Sequence, residues 1–161
     1  MRDTTLLLDT NVCLSYYLPD RKESESVHNL ISQAIASNVT LVVAATTLKD
    51  MYYIMQSDLK RSKRQRDGVV SEADASAIRE IAWGCIETLC ELATVVPIDA
   101  SDMWIARKTK RVHADFEDDL VVAAAMRANA TYLVTNDREL ILHAPVAALT
   151  PADALALIRD E

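Results

Sequence analysis

Glycine is nearly absent: the 161 residues hold two, Gly68 and Gly84. A Gly-rich loop that cradles phosphates cannot be built from them, which excludes P-loop nucleotide enzymes and dinucleotide-binding dehydrogenases of the usual type. Cysteine is scarce as well. Cys13, Cys85 and Cys90 are an odd number without metal-ligand spacing, so a disulfide framework is excluded and all three read as buried thiols in a reducing compartment. Long hydrophobic runs are missing. The opening MRDTTLLLDT has three consecutive leucines before an acid, too few for a signal peptide or a membrane anchor, so a cytoplasmic location is expected. Basic residues are outnumbered, 17 against 24, for a formal net charge of −7. A passive nucleic-acid coat would be basic. An acidic chain can still act on nucleic acid if its carboxylates hold divalent cations, because the ions reverse the local charge. His28, His113 and His143 form no plausible catalytic constellation.

What is present suits a soluble globular protein. Half of the residues are apolar and a quarter are charged, and the length allows a substantial core. No internal repeat, low-complexity tract or long linker divides the chain, and a single domain over residues 1–161 is expected. Apolar runs at 4–8, 39–44, 94–96 and 131–134 predict strands, and 146–149 a weak fifth. Between them, apolar residues recurring every three or four positions predict helices. These lie over 11–18, from 23, to about 62 after a Thr46 or Thr47 cap, over 71–91 and 99–111, from 115 or 117 to 129, and from near 151. Strands alternating with helices, and themselves nearly all apolar, predict an α/β fold. The expected architecture is a three-layer sandwich, a mostly parallel sheet of four to five strands flanked by helices.

In open parallel α/β sheets, sites form in the crevice at the carboxyl ends of the strands. Asp9 follows the first strand in LLLDTN, and Asp137 follows the fourth in LVTND. Asp50 lies one turn into the helix after the second strand, in TTLKDMYY, while Asp115, Asp118 and Asp119 open the helix that feeds the fourth. Each has a plain structural reading. Asp115 is a good N-cap, with Asp118 completing a capping box, and Asp137 can cap the short helix after it. Asp50 is hardest to explain this way, because Leu48, Met51, Ile54 and Met55 around it look like a core stripe. Taken together, four segments deliver carboxylates towards one edge of the sheet. Such a cluster repels itself unless cations neutralise it. Hard oxygen donors suit Mg²⁺ or Mn²⁺, and the chemistry that follows is phosphodiester hydrolysis.

The ordered set LLLDTN, TTLKDMYYI, DFEDDLVVAAA and YLVTND resembles the PIN domain, in particular its bacterial VapC-like ribonucleases, and PVAALTPADAL resembles the end of a bacterial subgroup. The resemblance spans nearly the whole chain. It implies Asp9, Asp50, Asp118 and Asp137 as the catalytic and metal-holding acids, with Mg²⁺ or Mn²⁺ as cofactor. It implies that Thr10 and Asn11 help orient Asp9, and that Thr135 and Asn136 shape the pocket wall; Asp115 is a supporting residue. Many bacterial members are endoribonuclease toxins held by an antitoxin, so RNA, a cognate antitoxin and a homodimer are the expected partners. Apolar positions of the 71–91 helix are the candidate dimer contact. Two departures stand out. Asp50 replaces the glutamate of many relatives, and Asp119 stands where alanine is usual; Asp119 either adds a ligand or faces solvent, the second being favoured.

The segment KRSKRQR, residues 60–66, supplies Lys60, Arg61, Lys63, Arg64 and Arg66. It reads either as a solvated helix end or as an arm that grips RNA phosphates or an acidic partner. Arg107, Lys108, Lys110 and Arg111 read as a solvated helix face, and Trp83 and Trp104 as core or dimer contacts. A phospho-aspartate phosphatase would need an acid where Asn11 stands, and a receiver domain would need a lysine after its last strand. The serious alternative is a PIN-like binding module with little or no nuclease turnover.

Overall fold

The computed structural model describes residues 4–110 and 115–159. Arg111 and His113 therefore lie outside the described residues.

β1 (Thr5–Leu8) is central because its side chains are apolar on both faces, and Leu6, Leu7 and Leu8 are fully buried. Successive strand residues point to opposite faces, so Leu6 and Leu8 enter one core while Leu7 enters another. β2 (Thr40–Ala44) and β4 (Tyr132–Val134) flank β1. β3 (Thr94–Val96) lies outside β2, and the two-residue β5 (Ala148–Leu149) lies outside β4. The order is β3-β2-β1-β4-β5 and every pairing is parallel. The predicted three-layer α/β sandwich is thus observed, with a sheet parallel throughout rather than mostly so.

The Leu6 and Leu8 face is covered by α1 (Thr10–Tyr17), α2 (Ser24–Ala36), α3 (Ala45–Asp67), α4 (Glu72–Leu92) and α8 (Pro151–Arg159). The Leu7 face is covered by α6 (Phe116–Arg127) and by Leu140 of α7 (Arg138–His143). α5 (Ala100–Thr109) packs outside, on α6. This leaves α6 between the sheet and α5, and Asp119 through Ala125 are all buried. Among the described residues, no helix is long and apolar enough to cross a membrane.

The structure corrects several expectations. α3 begins directly after β2, with Ala44 in the cap position and no side-chain cap. Neither Thr46 nor Thr47 serves as the cap; the buried Thr47 hydroxyl oxygen instead accepts from Thr10 Oγ1 at 3.5 Å. α3 also runs past residue 62, because Lys, Arg and Gln are good helix formers. It stops only at Gly68, whose φ of 79° is left-handed and whose N–H donates to Arg64 O at 2.9 Å. On α4 the buried stripe is Ile78, Ala82, Ile86 and Leu89. Trp83 and Cys90 each fall one residue beyond it, about 100° round the helix, and both are exposed. Trp104 is exposed as well, so neither tryptophan belongs to the core, and of the thiols only Cys13 is fully buried.

Candidate active site

β1 is followed by Asp9, whose N–H donates to Val134 O at 3.0 Å and ties the turn to β4. Asp9 is also the N-cap of α1. Its Oδ1 accepts from the Thr10 N–H at 2.7 Å, and its Oδ2 accepts from Thr135 Oγ1 at 2.8 Å. Thr135 Oγ1 in turn accepts from the Asp137 N–H at 2.9 Å. Asp137 caps α7, with Oδ1 accepting from the Glu139 and Leu140 N–H groups. Asp9, Thr135 and Asp137 therefore form one connected unit at the carboxyl edge of the sheet. Asp9 is 5% exposed, and no cation pairs with it among the described residues. Burial raises its pKa, Asp137 adds repulsion, and the bonds from Thr135 and Thr10 offset part of the rise.

A second pair of acids joins α3 to α6. Asp50 is buried, one turn beyond Thr47, and Lys49 Nζ stands 2.6 Å from its Oδ1. That hydrogen bond, with the charge of Asp50, raises Lys49. Glu117, in the first turn of α6, places its carboxyl within hydrogen-bonding reach of Asp50. Its pKa is pushed up to about 7, first by burial of the carboxyl, then by the charge of Asp50 and the bond to it, with Asp115 adding repulsion and Lys49 opposing. Glu117 as a residue is exposed at the rim of this pair.

The remaining expected residues fall as follows. Asp115 caps α6 and accepts from the Glu117 N–H at 2.8 Å. Asp118 is half-buried in the first turn of α6, and Asn136 is half-buried between Thr135 and Asp137. Thr10 is buried, while Asn11 is exposed. Asp119 is 3% exposed, which overturns the solvent-facing expectation: it begins the stretch of α6 enclosed between sheet and α5. Sequence reasoning missed Glu117 and Lys49 as neighbours of Asp50. Glu117 stood in plain view within DFEDD, but only the packing of α6 on α3 selects it.

The basic run lies elsewhere. At ~1.5 Å per residue along α3, Lys60 to Arg66 stand about 15 to 24 Å beyond Asp50. Arg61 pairs with Asp58 at 3.4 Å, Lys63 with Asp67 at 2.6 Å and Asp74 at 3.2 Å, and Arg66 with Asp67 at 3.3 Å. Lys60 and Arg64 have no ion pair among the described residues. The run borders a 610 Å³ cleft between α3 and the turn after α1, where Arg21 also pairs with Asp58 at 3.0 Å.

Among the described residues, no three Asp, Glu, His or Cys groups stand close enough together to hold an ion. The acids form two pairs, Asp9 with Asp137 and Asp50 with Glu117. The donor chemistry nonetheless fits Mg²⁺ or Mn²⁺, since such ions need only one or two carboxylates and fill the rest with water and phosphate. Both pairs consist of hard oxygens whose repulsion an ion would relieve.

The family model described as PIN domain matches residues 5–139, and the chain belongs to the PIN-domain family. Its fold is shared with the crystal structure of VapBC2 from Rickettsia felis bound to a DNA fragment from their promoter. That match has a TM-score of 0.64 at 16% identity, covering 91% of this chain and 98% of that one. PAE2754 from Pyrobaculum aerophilum gives a TM-score of 0.61 at 17% identity, covering 99% and 98%. No curated protein sequence matches the chain.

Proposed function

We propose that this protein is a metal-dependent endoribonuclease and the toxin of a toxin–antitoxin pair. The observation that carries the reading is Asp9: a buried carboxylate with a raised pKa, linked through Thr135 to Asp137, with no cation beside it among the described residues. PIN domains are generally nucleases that use divalent metal. Asp9, Asp50, Asp118 and Asp137 would hold Mg²⁺ or Mn²⁺, which when bound lowers the pKa of a coordinated water and draws charge off the phosphate. Thr135 fixes the carboxylate of Asp9 and, through the Asp137 N–H, the start of α7. The Thr10 N–H holds the other oxygen of Asp9, so the side chain has one orientation before any ligand arrives. Asp115 and Asp137 cap their helices and keep the two turns that present the acids in place.

The likeness to VapBC2 supports an antitoxin partner, and the single domain and cytoplasmic location belong to the same reading. For a homodimer, the apolar stripe of α4 is largely used inside the chain, leaving Ile81 and Trp83 outward. Lys60, Arg61, Lys63, Arg64 and Arg66 stand too far along α3 to touch a phosphate at the acids; with Arg61, Lys63 and Arg66 held by aspartates, the segment is a solvated helix end whose Lys60 and Arg64 are left to meet more distant RNA or the antitoxin.

The test is cleavage of mixed cellular RNA by purified protein, with Mn²⁺ or Mg²⁺ against EDTA, beside Asp9→Asn and Asp118→Asn. Metal-dependent cutting that disappears in both variants is expected. Equal inertness of all three proteins, free of co-purified antitoxin, would favour a binding module instead.

A further inference from the structure

We propose that the outward face of α5 is a platform for single-stranded RNA, set beside the acidic site; this rests on the ribonuclease reading and extends it to how the substrate is held. Trp104 is 61% exposed, and Lys108 Nζ stands 3.4 Å from the centroid of its ring. Arg107, Lys108 and Lys110 are exposed at the end of the same helix. None of the three has a carboxylate partner among the described residues. In the basic run of α3, by contrast, Arg61, Lys63 and Arg66 are all neutralised by aspartates. An exposed indole with a cation over one face and further cations beside it is a combination that holds a single strand, the other face stacking a base and the cations meeting phosphates.

The platform is placed to feed the site. Arg127, at the end of α6, reaches back to Asp99 and Asp102 at the start of α5 and to Pro97 O. The two packed helices therefore run antiparallel, and the basic end of α5 stands at the end of α6 where Asp115, Glu117 and Asp118 begin. On a chain of net charge −7, a polyanion needs such a local cationic approach to reach the acids.

A second copy of this chain is the competing occupant, since Met103 is also exposed beside Trp104. A two-fold interface brings a patch against itself. Arg107, Lys108 and Lys110 would then crowd their own copies, and the charge favours RNA.

The experiment measures binding of a labelled single strand of about 12 nucleotides to the Asp9→Asn protein in Mg²⁺, by fluorescence anisotropy across a salt series. Trp104→Ala should weaken binding about tenfold, whereas Trp104→Phe, which keeps a stacking face, should retain most of it. Changing Arg107, Lys108 and Lys110 together to glutamine should lower the salt slope by about 2, from ~0.7 per phosphate contact on a single strand. Unchanged affinity and slope in a parent that binds RNA would overturn the platform and leave the ribonuclease reading intact. So would a shift from dimer to monomer in Trp104→Ala with RNA affinity preserved, which would make the face a self-interface. A parent that binds no RNA would also overturn the platform, while the ribonuclease reading stands or falls on metal-dependent cleavage by the native protein.

Discussion

Replacing Asp9 by asparagine should stabilise the metal-free protein while removing its response to metal. Asp9 is 5% exposed, with no cation beside it among the described residues. An ionised carboxylate so placed carries a penalty of several kcal/mol, taken here as ~4 kcal/mol. Asparagine keeps an oxygen for the Thr10 N–H and sets an amide against Thr135 Oγ1, which can rotate to accept it. Two charge-assisted bonds become neutral ones, a loss of about 1 kcal/mol each. The difference is a gain of about 2 kcal/mol, or about 4–8 °C in Tm for a chain of this length.

The pH dependence has a definite sign. Because burial raises the Asp9 pKa above 3.8, the native state holds its proton more tightly than the unfolded state does. The contribution of Asp9 to stability is fully present below that value and is lost as pH rises through the folded pKa. The advantage of asparagine should therefore vanish in acid and grow as pH rises. Saturating Mg²⁺ or Mn²⁺ reverses the ranking. At 100 times Kd the native protein gains about 2.7 kcal/mol, while the variant gains little. The assay is thermal unfolding of both proteins in EDTA and in metal, at acid and at alkaline pH. A variant less stable than the native protein in EDTA near pH 8, or an equal response of both to metal, would refute the reasoning.

Other outcomes follow from the same structure. Thr135→Val is nearly isosteric and fully buried; it strips the hydroxyl from both Asp9 and the Asp137 N–H, and should cost about 2–4 kcal/mol in urea unfolding and ~10- to 100-fold in RNA cleavage. Arg127→Met leaves Asp102, 2% exposed, buried without its cation, and should cost about 3 kcal/mol; adding Asp102→Asn should recover part of that in the same measurement. Glu117, raised from 4.5 to about 7, lends stability below pH 4.5 that is lost as pH rises through 7. In EDTA the Tm should fall across that window, Glu117→Gln should flatten the fall, and an unchanged slope in that variant would show that Asp50 does not face Glu117.

The local rules of the chain were legible without tertiary structure. Short apolar runs such as TLLL, bounded by polar residues and alternating with helical patterns, read as strands buried on both faces, and this sufficed for a mostly parallel sheet. Asp9 was found because it follows the first strand, and Asp115 and Asp137 because short acidic side chains cap helices; all three do cap helices, α1, α6 and α7. Spacing of this kind assigns a side chain to an element and a face.

It does not say what covers that face. Asp119 was expected to face solvent, yet it is buried on α6, which packs between the sheet and α5. Trp104 and Trp83 were expected among apolar neighbours in sequence, but α5 and α4 turn those residues outward. Glu117 meets Asp50, and Thr135 meets Asp9 across a sequence separation of 126. Such contacts depend on which helix packs against which and on the order of strands in the sheet. The sequence by itself determined the elements and the acids they carry; only the tertiary structure decided which acids face each other, because pairing across the fold is fixed by packing and not by spacing along the chain.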